Sequence, residues 1–163
     1  MIGTVIKSTG KRYTVKTEDG EVVQCRLKGK FRIAGITSTN PIVVGDKVEA
    51  EKESELWIIL KLFERKNYIL RKSVNLSKQT HIIAANVDQA ILMITLNSPV
   101  TTTGFIDRFL VAANAYGIEV VLLFNKVDLL DDELRIQQEN LKKVYKKIGY
   151  TCFATSVIND DLS

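Results

Sequence analysis

One run constrains this chain more than any other: Val120-Val121-Leu122-Leu123-Phe124-Asn125-Lys126-Val127-Asp128-Leu129-Leu130. Its apolar residues stop abruptly at Asn-Lys-Val-Asp, and Asp131 and Asp132 then open a helix-like segment. The apolar part is too short to span a membrane and fits a buried strand of a parallel sheet. Polar groups at the carboxyl end of such a strand lie where open α/β sheets bind ligands.

Asn-Lys-x-Asp is the guanine-specificity motif of GTP-binding P-loop proteins, and the residue types have a physical reason. The Asp128 carboxylate can accept two hydrogen bonds from guanine, one from its ring N–H and one from its exocyclic amine. Adenine lacks that pair of donors and would leave a desolvated carboxylate unpaired, which is heavily rejected. The Asn125 amide can bond guanine polar atoms and tether neighbouring loops, while Lys126 can lay its methylene stem over the base. The competing reading is an ordinary strand-to-helix turn with Asp128 or Asp131 as a cap. The letters alone arise by chance in roughly a few per cent of chains this long. Their position directly after a buried strand favours the guanine reading.

The chain has 163 residues, 45% of them apolar, which suits one domain or two small ones. The opening Met1-Ile2-Gly3-Thr4-Val5-Ile6-Lys7 has no signal-peptide plan, and no apolar run reaches bilayer length. Cys25 and Cys152 lie far apart and form no CxxC pair, and His81 is the only histidine, so these residues cannot build a structural zinc site. A reducing, cytoplasmic setting is expected. The net charge of +4 hides an asymmetry. Residues 1–82 carry 16 Lys/Arg against 9 Asp/Glu, a net +7; residues 83–163 carry 7 against 10, a net −3. A basic front half joined to a mildly acidic back half predicts two units, the first able to approach a polyanion.

The front half reads as all-β. Strands are predicted over Ile2–Lys7, Arg12–Thr17, Glu21–Leu27, the stretch following Val43-Val44-Gly45-Asp46-Lys47-Val48, and Leu56–Phe63, with Asp19-Gly20 as a hairpin turn. Five short strands in residues 1–66 fit an OB-fold barrel, and an SH3-like barrel satisfies the same pattern. Arg26, Lys28, Lys30 and Arg32 alternate with apolar residues and glycine, so an extended segment would align four cations on one face. Such a row suits phosphate contacts, and OB surfaces bind single-stranded nucleic acid; it equally suits a solvated edge that resists pairing. Residues 67–82 lack a clean period and read as a basic connector, with Arg71 and Lys72 offering a second cationic surface.

Residues 83–163 read as α/β. A strand over Val87–Leu96 ends at Asn97-Ser98-Pro99, and Thr102 or Thr103 can cap a helix over Gly104–Tyr116 with Phe105, Phe109, Ala112, Ala113 and Tyr116 as its buried stripe. After the Val120–Phe124 strand, a second helix from about Asp132 to Ile148 is expected to bury Leu134, Leu141, Val144, Tyr145 and Ile148 and to leave Lys142, Lys143, Lys146 and Lys147 in solvent. A last strand, Tyr150–Ala154, leads to Thr155-Ser156-Val157. Alternating strands and helices imply right-handed crossovers and a parallel sheet.

A GTPase also needs a glycine-rich loop with Lys and Ser/Thr to cradle phosphates and hold magnesium. None is present; Gly10-Lys11-Arg12 lacks both the earlier glycine and the following Ser/Thr, and it falls in a hairpin. Either the nucleotide site is degenerate, or the phosphate half follows and the domain is circularly permuted.

Together these features resemble the ribosome small subunit-dependent GTPase A family (RsgA/YjeQ). The resemblance is carried by Arg71-Lys72-Ser73, by Lys78-Gln79 running into Ile83-Ala84-Ala85-Asn86-Val87-Asp88-Gln89, by Asn125-Lys126-Val127-Asp128, by Thr155-Ser156, and by Gly45-Asp46-x-Val48 in the barrel. It implies an all-β OB-fold barrel followed by an incomplete, circularly permuted, P-loop GTPase-like parallel-sheet domain. It also implies a cytoplasmic, monomeric GTP-hydrolysing factor in late maturation of the small ribosomal subunit, its barrel touching rRNA. By position, Asn125, Lys126 and Asp128 would read guanine, and Ser156 and Val157 match the second base-contacting loop. The family usually carries Ser-Ala there, so Val157 departs from its pattern. GTP or GDP is the implied ligand. The family's phosphate loop, Mg2+ residues and structural Zn2+ module would lie beyond Ser163, and this chain holds no catalytic residue of its own. The alternative is a non-enzymatic RNA-binding module with a scaffold α/β half; an acidic protein partner for the basic face is a third reading.

Overall fold

The computed structural model describes residues 1–27, 41–72, 80–158 and 161–162, with only the backbone described at 71, 72, 80, 81, 161 and 162. The chain divides into two compact units, Met1–Val87 and Asp88–Ser163.

Five strands build the barrel of the first unit: β1 (Ile2–Thr9), β2 (Arg12–Thr17), β3 (Val22–Leu27), β4 (Lys47–Glu53) and β5 (Leu56–Leu62). They close in the order β1-β2-β3-β5-β4, with β4 returning to β1. All contacts are antiparallel except β3 with β5, where Cys25 lies opposite Trp57 and Leu27 opposite Ile59 in parallel register. This closure makes the barrel OB-like and removes the SH3-like alternative. Alternation with period two decides which side chains fill it. Val5, Tyr13, Val15, Cys25, Val48, Ala50 and Ile59 point inward and are buried, with Ile42 from the preceding loop, and Trp57 packs half-buried against them.

The Gly45-Asp46 element closes the barrel. Gly45 N donates to Val5 O at 2.8 Å, and Val5 N donates to Asp46 O at 2.8 Å. Gly45 has φ +89°, and a Cβ built there would lie 1.9 Å from Ala85 O, so only glycine fits. Asp46 is fully buried; Oδ1 accepts from Arg65 Nε at 2.6 Å, and Oδ2 accepts from Arg65 Nη2 at 2.7 Å and Val43 N at 2.8 Å.

Residues 67–82, expected as a basic connector, contribute to a strand pair: β6 (Tyr68–Lys72) pairs antiparallel with β7 (Thr80–Ala85). Ile69 lies opposite Ala84 and Leu70 opposite Ile82, so Ile83 is an extra residue, and this bulge breaks the alternation in β7 by which a strand is recognised. Ala85 N donates to Val44 O at 2.9 Å, and Asn86 Nδ2 donates to Gly45 O at 2.8 Å, which ties the strand pair to the barrel loop. Residue 83 thus lies inside β7, and the unit continues to Val87.

The second unit alternates β8 (Gln89–Ile94), α1 (Thr103–Ala115), β9 (Glu119–Asn125), α2 (Asp132–Lys147) and β10 (Thr151–Ser156), with a short β11 (Asp161–Leu162). The sheet order is β11-β10-β9-β8; β8, β9 and β10 are parallel and β11 is antiparallel to β10. Right-handed crossovers running the same way along the sheet put both helices on one face. That face buries Leu92, Ile94, Val120, Leu122, Phe124, Cys152 and Ala154. On the opposite face Ile91 is 64% exposed, Met93 56% and Phe153 45%.

Both helix stripes differ from expectation. The α1 core face is Ile106, Leu110 and Ala113, whereas Phe105 and Ala112 are exposed and Phe109 and Tyr116 only half-buried. Two apolar stripes one residue apart run along this helix at helical spacing, and only one can meet the sheet. In α2, Gln138 and Tyr145 are buried, Leu134 and Leu141 half-buried, and Val144 and Ile148 exposed. Tyr145 donates its hydroxyl to Asp107 Oδ1 at 2.9 Å, joining the helices. Lys142 is also not in open solvent; its side chain is 13% exposed and its Nζ reaches Glu139 Oε1 at 3.1 Å.

Candidate guanine-reading and nucleic-acid sites

Strand β9 lies between β8 and β10, so its carboxyl end is flanked by two loops. Asn125 closes the strand and its Oδ1 accepts from Lys126 N at 2.8 Å. That bond supports Lys126 in a left-handed conformation, φ 63° and ψ 40°, which a residue with a Cβ adopts at a cost of about 1–2 kcal/mol. The reversal lets Val127–Leu129 form a single 3-10 turn carrying Asp128.

Three elements hold this turn. From β10, Ser156 Oγ donates to Asp128 Oδ1 at 2.5 Å, and Ser156 is 1% exposed. From the loop after β8, the Ser98 carbonyl accepts from Lys126 Nζ at 2.5 Å, and Asn97 Nδ2 donates to Leu129 O at 3.3 Å. That loop is closed on itself: Thr101 N donates to Thr95 O at 2.8 Å, Thr95 N to Thr101 Oγ1 at 3.2 Å, and Thr95 Oγ1 to Pro99 O. From α2, Arg135 Nε donates to Leu130 O at 3.1 Å. Asp131 caps the same helix, its Oδ1 accepting from Leu134 N at 2.9 Å.

Asn125, Lys126, Asp128 and Ser156 are therefore brought together, while Val157 is beside them and 82% exposed. Ser156, expected in the second base-contacting loop, holds the Asp128 carboxylate with its hydroxyl. An ionised carboxylate has about four acceptor sites, so one bond from Ser156 leaves capacity for two donors on a base edge. Sequence reasoning missed Asn97, Ser98 and Arg135. Arg135 had a usable signal, since a cation near a helix N-terminus opposes the helix dipole and needs a local partner. Nothing in the letters Asn97-Ser98 marks them beyond the chain break.

Of the cationic positions, Arg26 is exposed on the outer side of β3, opposite Arg12 of β2. Lys28, Lys30 and Arg32 lie outside the described residues, and Arg71 and Lys72 end β6 with only their backbone described. Among the described residues no group of three or more His, Cys, Asp or Glu is placed to hold a metal ion. Both cysteines are buried and unpaired. Among the described residues no helix is long and apolar enough to cross a membrane.

A closed, OB-like barrel followed by a parallel sheet, whose β9 ends in a braced Asn-Lys-x-Asp loop, has the architecture of a GTPase-type fold with a barrel preceding it. The family models agree: that of the RsgA N-terminal domain matches residues 2–56, and that of the RsgA GTPase matches residues 62–162. The chain belongs to the RsgA GTPase family.

It is 57% identical over 160 residues to the small ribosomal subunit biogenesis GTPase RsgA of Flavobacterium johnsoniae, covering 96% of this chain and 49% of that protein. The same identity holds over 163 residues with the protein of that name from Christiangramia forsetii, covering 98% and 52%. Among solved structures, YjeQ from Thermotoga maritima matches with a TM-score of 0.71 at 36% identity, covering 95% of this chain and 51% of that one. YloQ, described as a circularly permuted GTPase, matches at 0.66 and 31% identity with the same coverage. The chain spans about half the length of the curated relatives it matches.

Proposed function

We propose that this chain is the amino-terminal part of a cytoplasmic, monomeric GTPase that acts in late maturation of the small ribosomal subunit. Its barrel contacts rRNA and its second unit reads guanine. The natural-length protein hydrolyses GTP to GDP and phosphate as a timing step on the ribosome; the 163 residues alone bind guanine nucleotide weakly and do not turn it over.

The observation that carries this reading is the Asn125–Asp128 turn, set at the carboxyl end of a parallel strand with Ser156 Oγ on its carboxylate at 2.5 Å. An ordinary capped turn has no use for a buried serine aimed at the carboxylate. The missing phosphate cradle supports inactivity of the chain alone, because base contacts without it forgo the site's main electrostatic contribution. The bare apolar face at Ile91, Met93 and Phe153, together with relatives about twice as long, supports a further half of the nucleotide domain, which would bring the phosphate loop and Mg2+ residues.

In the natural-length protein, Asp128→Ala is expected to abolish the preference for guanine over adenine nucleotides. Ser156→Ala is expected to weaken guanine binding about tenfold or more, since a hydrogen bond to a charged group contributes about 1.5–3 kcal/mol. Magnesium-dependent GTP turnover by the 163 residues alone would refute the inactivity. A second reading, a non-enzymatic RNA-binding module, is favoured by the cationic barrel; it predicts RNA binding indifferent to guanine nucleotides and to Asp128→Ala.

A further inference from the structure

The backbone carbonyls of the Val127–Leu129 turn accept from side chains that come from outside it. Val127 O accepts from Arg135 Nη2 at 3.5 Å, Leu130 O from Arg135 Nε at 3.1 Å, and Leu129 O from Asn97 Nδ2 at 3.3 Å. Arg135 belongs to α2, the helix into which the turn itself leads. Asn97 is different, because it reaches the turn from the loop after β8, 32 positions earlier. Its amide has one orientation that serves both of its neighbours. Leu129 O can only accept, so it takes Nδ2, and Oδ1 accepts from Ser98 Oγ at 3.1 Å.

This loop is a firm anchor. The Thr95–Thr101 bonds close it at its base, and Thr95 is buried. The residue after Asn97 touches the site as well, since the Ser98 carbonyl holds Lys126 Nζ at 2.5 Å. Ser98 and Lys126 both have left-handed backbones, φ 38° and 63°. Residues with a Cβ keep such conformations only where their surroundings over-determine them, and they cluster at functional sites. The Asn97–Leu129 bond joins exposed groups, which water would satisfy in its absence. Its effect is therefore on the geometry of the turn more than on the stability of the fold.

We propose that Asn97 is a positioning residue for guanine selectivity, which acts by holding Leu129 and so sets the aim of the neighbouring Asp128 carboxylate. This rests on the guanine reading above and adds a residue that determines its specificity. The chemistry gives the proposal a signature. Asp128 meets the ring N–H and the exocyclic amine of guanine, a pair of donors that adenine does not present. A turn that has lost Asn97 therefore loses affinity for guanine nucleotides alone. The Lys126 stem covers the face of the ring, which every purine has, so general loosening of the site would weaken guanine and adenine nucleotides alike.

The test measures GDP, IDP and ADP affinity of the natural-length protein by displacement of a fluorescent GDP analogue. Asn97→Ala is expected to weaken GDP about two- to tenfold, the range for one neutral hydrogen bond, and to leave ADP unchanged. IDP, which keeps the ring N–H and lacks the exocyclic amine, is expected to weaken by less. Asn97→Asp cannot donate to Leu129 O and is expected to lower the GDP to ADP preference at least as far as Asn97→Ala. That ratio cancels the effect of the added charge on the diphosphate common to both ligands. Ser98→Ala frees the Asn97 amide to rotate and is expected to give a smaller shift in the same direction. Added to Asp128→Ala, Asn97→Ala is expected to change the ratio no further, since its effect passes through that carboxylate. Equal loss of GDP and ADP affinity in Asn97→Ala makes the residue a general support and overturns the proposal. A further fall in the ratio when Asn97→Ala is added to Asp128→Ala overturns it too. An unchanged ratio in Asn97→Ala, with the preference abolished by Asp128→Ala, overturns the role of Asn97 and leaves the guanine reading standing. Absence of any preference for GDP over ADP in the unaltered protein overturns both.

Discussion

The Asp46–Arg65 pair offers a perturbation whose size follows from the geometry. Asp46 is fully buried and the Arg65 side chain is 8% exposed. The carboxylate has exchanged water for three N–H donors at 2.6–2.8 Å, two of them from one cation, and Arg65 Nη2 also donates to Pro41 O at 3.0 Å. Asp46→Ala leaves a buried guanidinium without its anion and the Val43 N–H without its acceptor. Removing one partner of a buried pair costs about 3–5 kcal/mol. A unit the size of Met1–Val87 has on the order of 4–13 kcal/mol of stability in total. The substitution therefore removes a large share of what holds the barrel closed.

Urea unfolding followed by Trp57 emission measures this directly, because Trp57 is the only tryptophan and packs half-buried against the barrel core. With a slope of about 1–1.5 kcal/mol per molar urea, Asp46→Ala should lower the midpoint by about 2–5 M. Asp46→Asn keeps an acceptor for Val43 and should fall between. Arg65→Met leaves a buried carboxylate behind and should be at least as damaging, while the double variant Asp46→Leu/Arg65→Met should cost less than the two single changes added together. An exposed pair would contribute less than about 1 kcal/mol. A midpoint change below about 0.5 M, or a coupling in the double-mutant cycle below about 1 kcal/mol, would refute the assignment of this pair as the latch.

Two further predictions concern the same unit. Gly45→Ala places a Cβ 1.9 Å from Ala85 O at φ +89°, so the barrel loop and the strand pair must part; the expected loss is about 3 kcal/mol, with rapid hydrogen exchange at Ala85 N–H as its local signature. Burial pushes the Cys25 thiol up to about 11, from 9.0. Its folded value is raised, so its contribution is fully present below the unfolded value and is lost as pH rises through 11. The Trp57 midpoint should therefore decline between about pH 9 and 11 by an amount of order 2–3 kcal/mol, and Cys25→Ala should remove that part of the decline. Tyr13, raised by the same burial, continues the trend at higher pH. A profile identical in wild type and Cys25→Ala would refute the account.

How much of this could be read in advance depended on whether the deciding interaction was local. The barrel strands were legible because period two puts Tyr13, Val15 and Cys25 inward and Arg12, Thr14 and Gln24 outward wherever the strands meet. The β6–β7 pairing was not, since the extra residue Ile83 resets that alternation midway through β7. For α1, the stripe of Phe105, Phe109, Ala112 and Tyr116 lies one residue from that of Ile106, Leu110 and Ala113, and only the sheet beneath decides between them. The Arg12–Arg26 juxtaposition was equally hidden. It depends on the register across the Asp19-Gly20 hairpin, and each arginine alone looks like an ordinary solvated cation.

At the site, the letters Asn-Lys-x-Asp were legible and their support was not. The left-handed Lys126 costs about 1–2 kcal/mol. Against it stand the bonds from Asn125 Oδ1, Ser156 Oγ, Asn97 Nδ2 and Arg135 Nε, each contributing about 0.5–1.5 kcal/mol or more where a charge is involved. Only the Asn125 bond is local; the others arrive from β10, from the loop after β8 and from α2, at sequence separations of 28, 32 and 5 residues. The turn is therefore held in its reading geometry by the second unit itself. A base that meets a turn already shaped need not offset the entropy of ordering it. Guanine selectivity should accordingly depend on Ser156 and Asn97 as well as on Asp128, whereas the phosphate half sets the overall affinity.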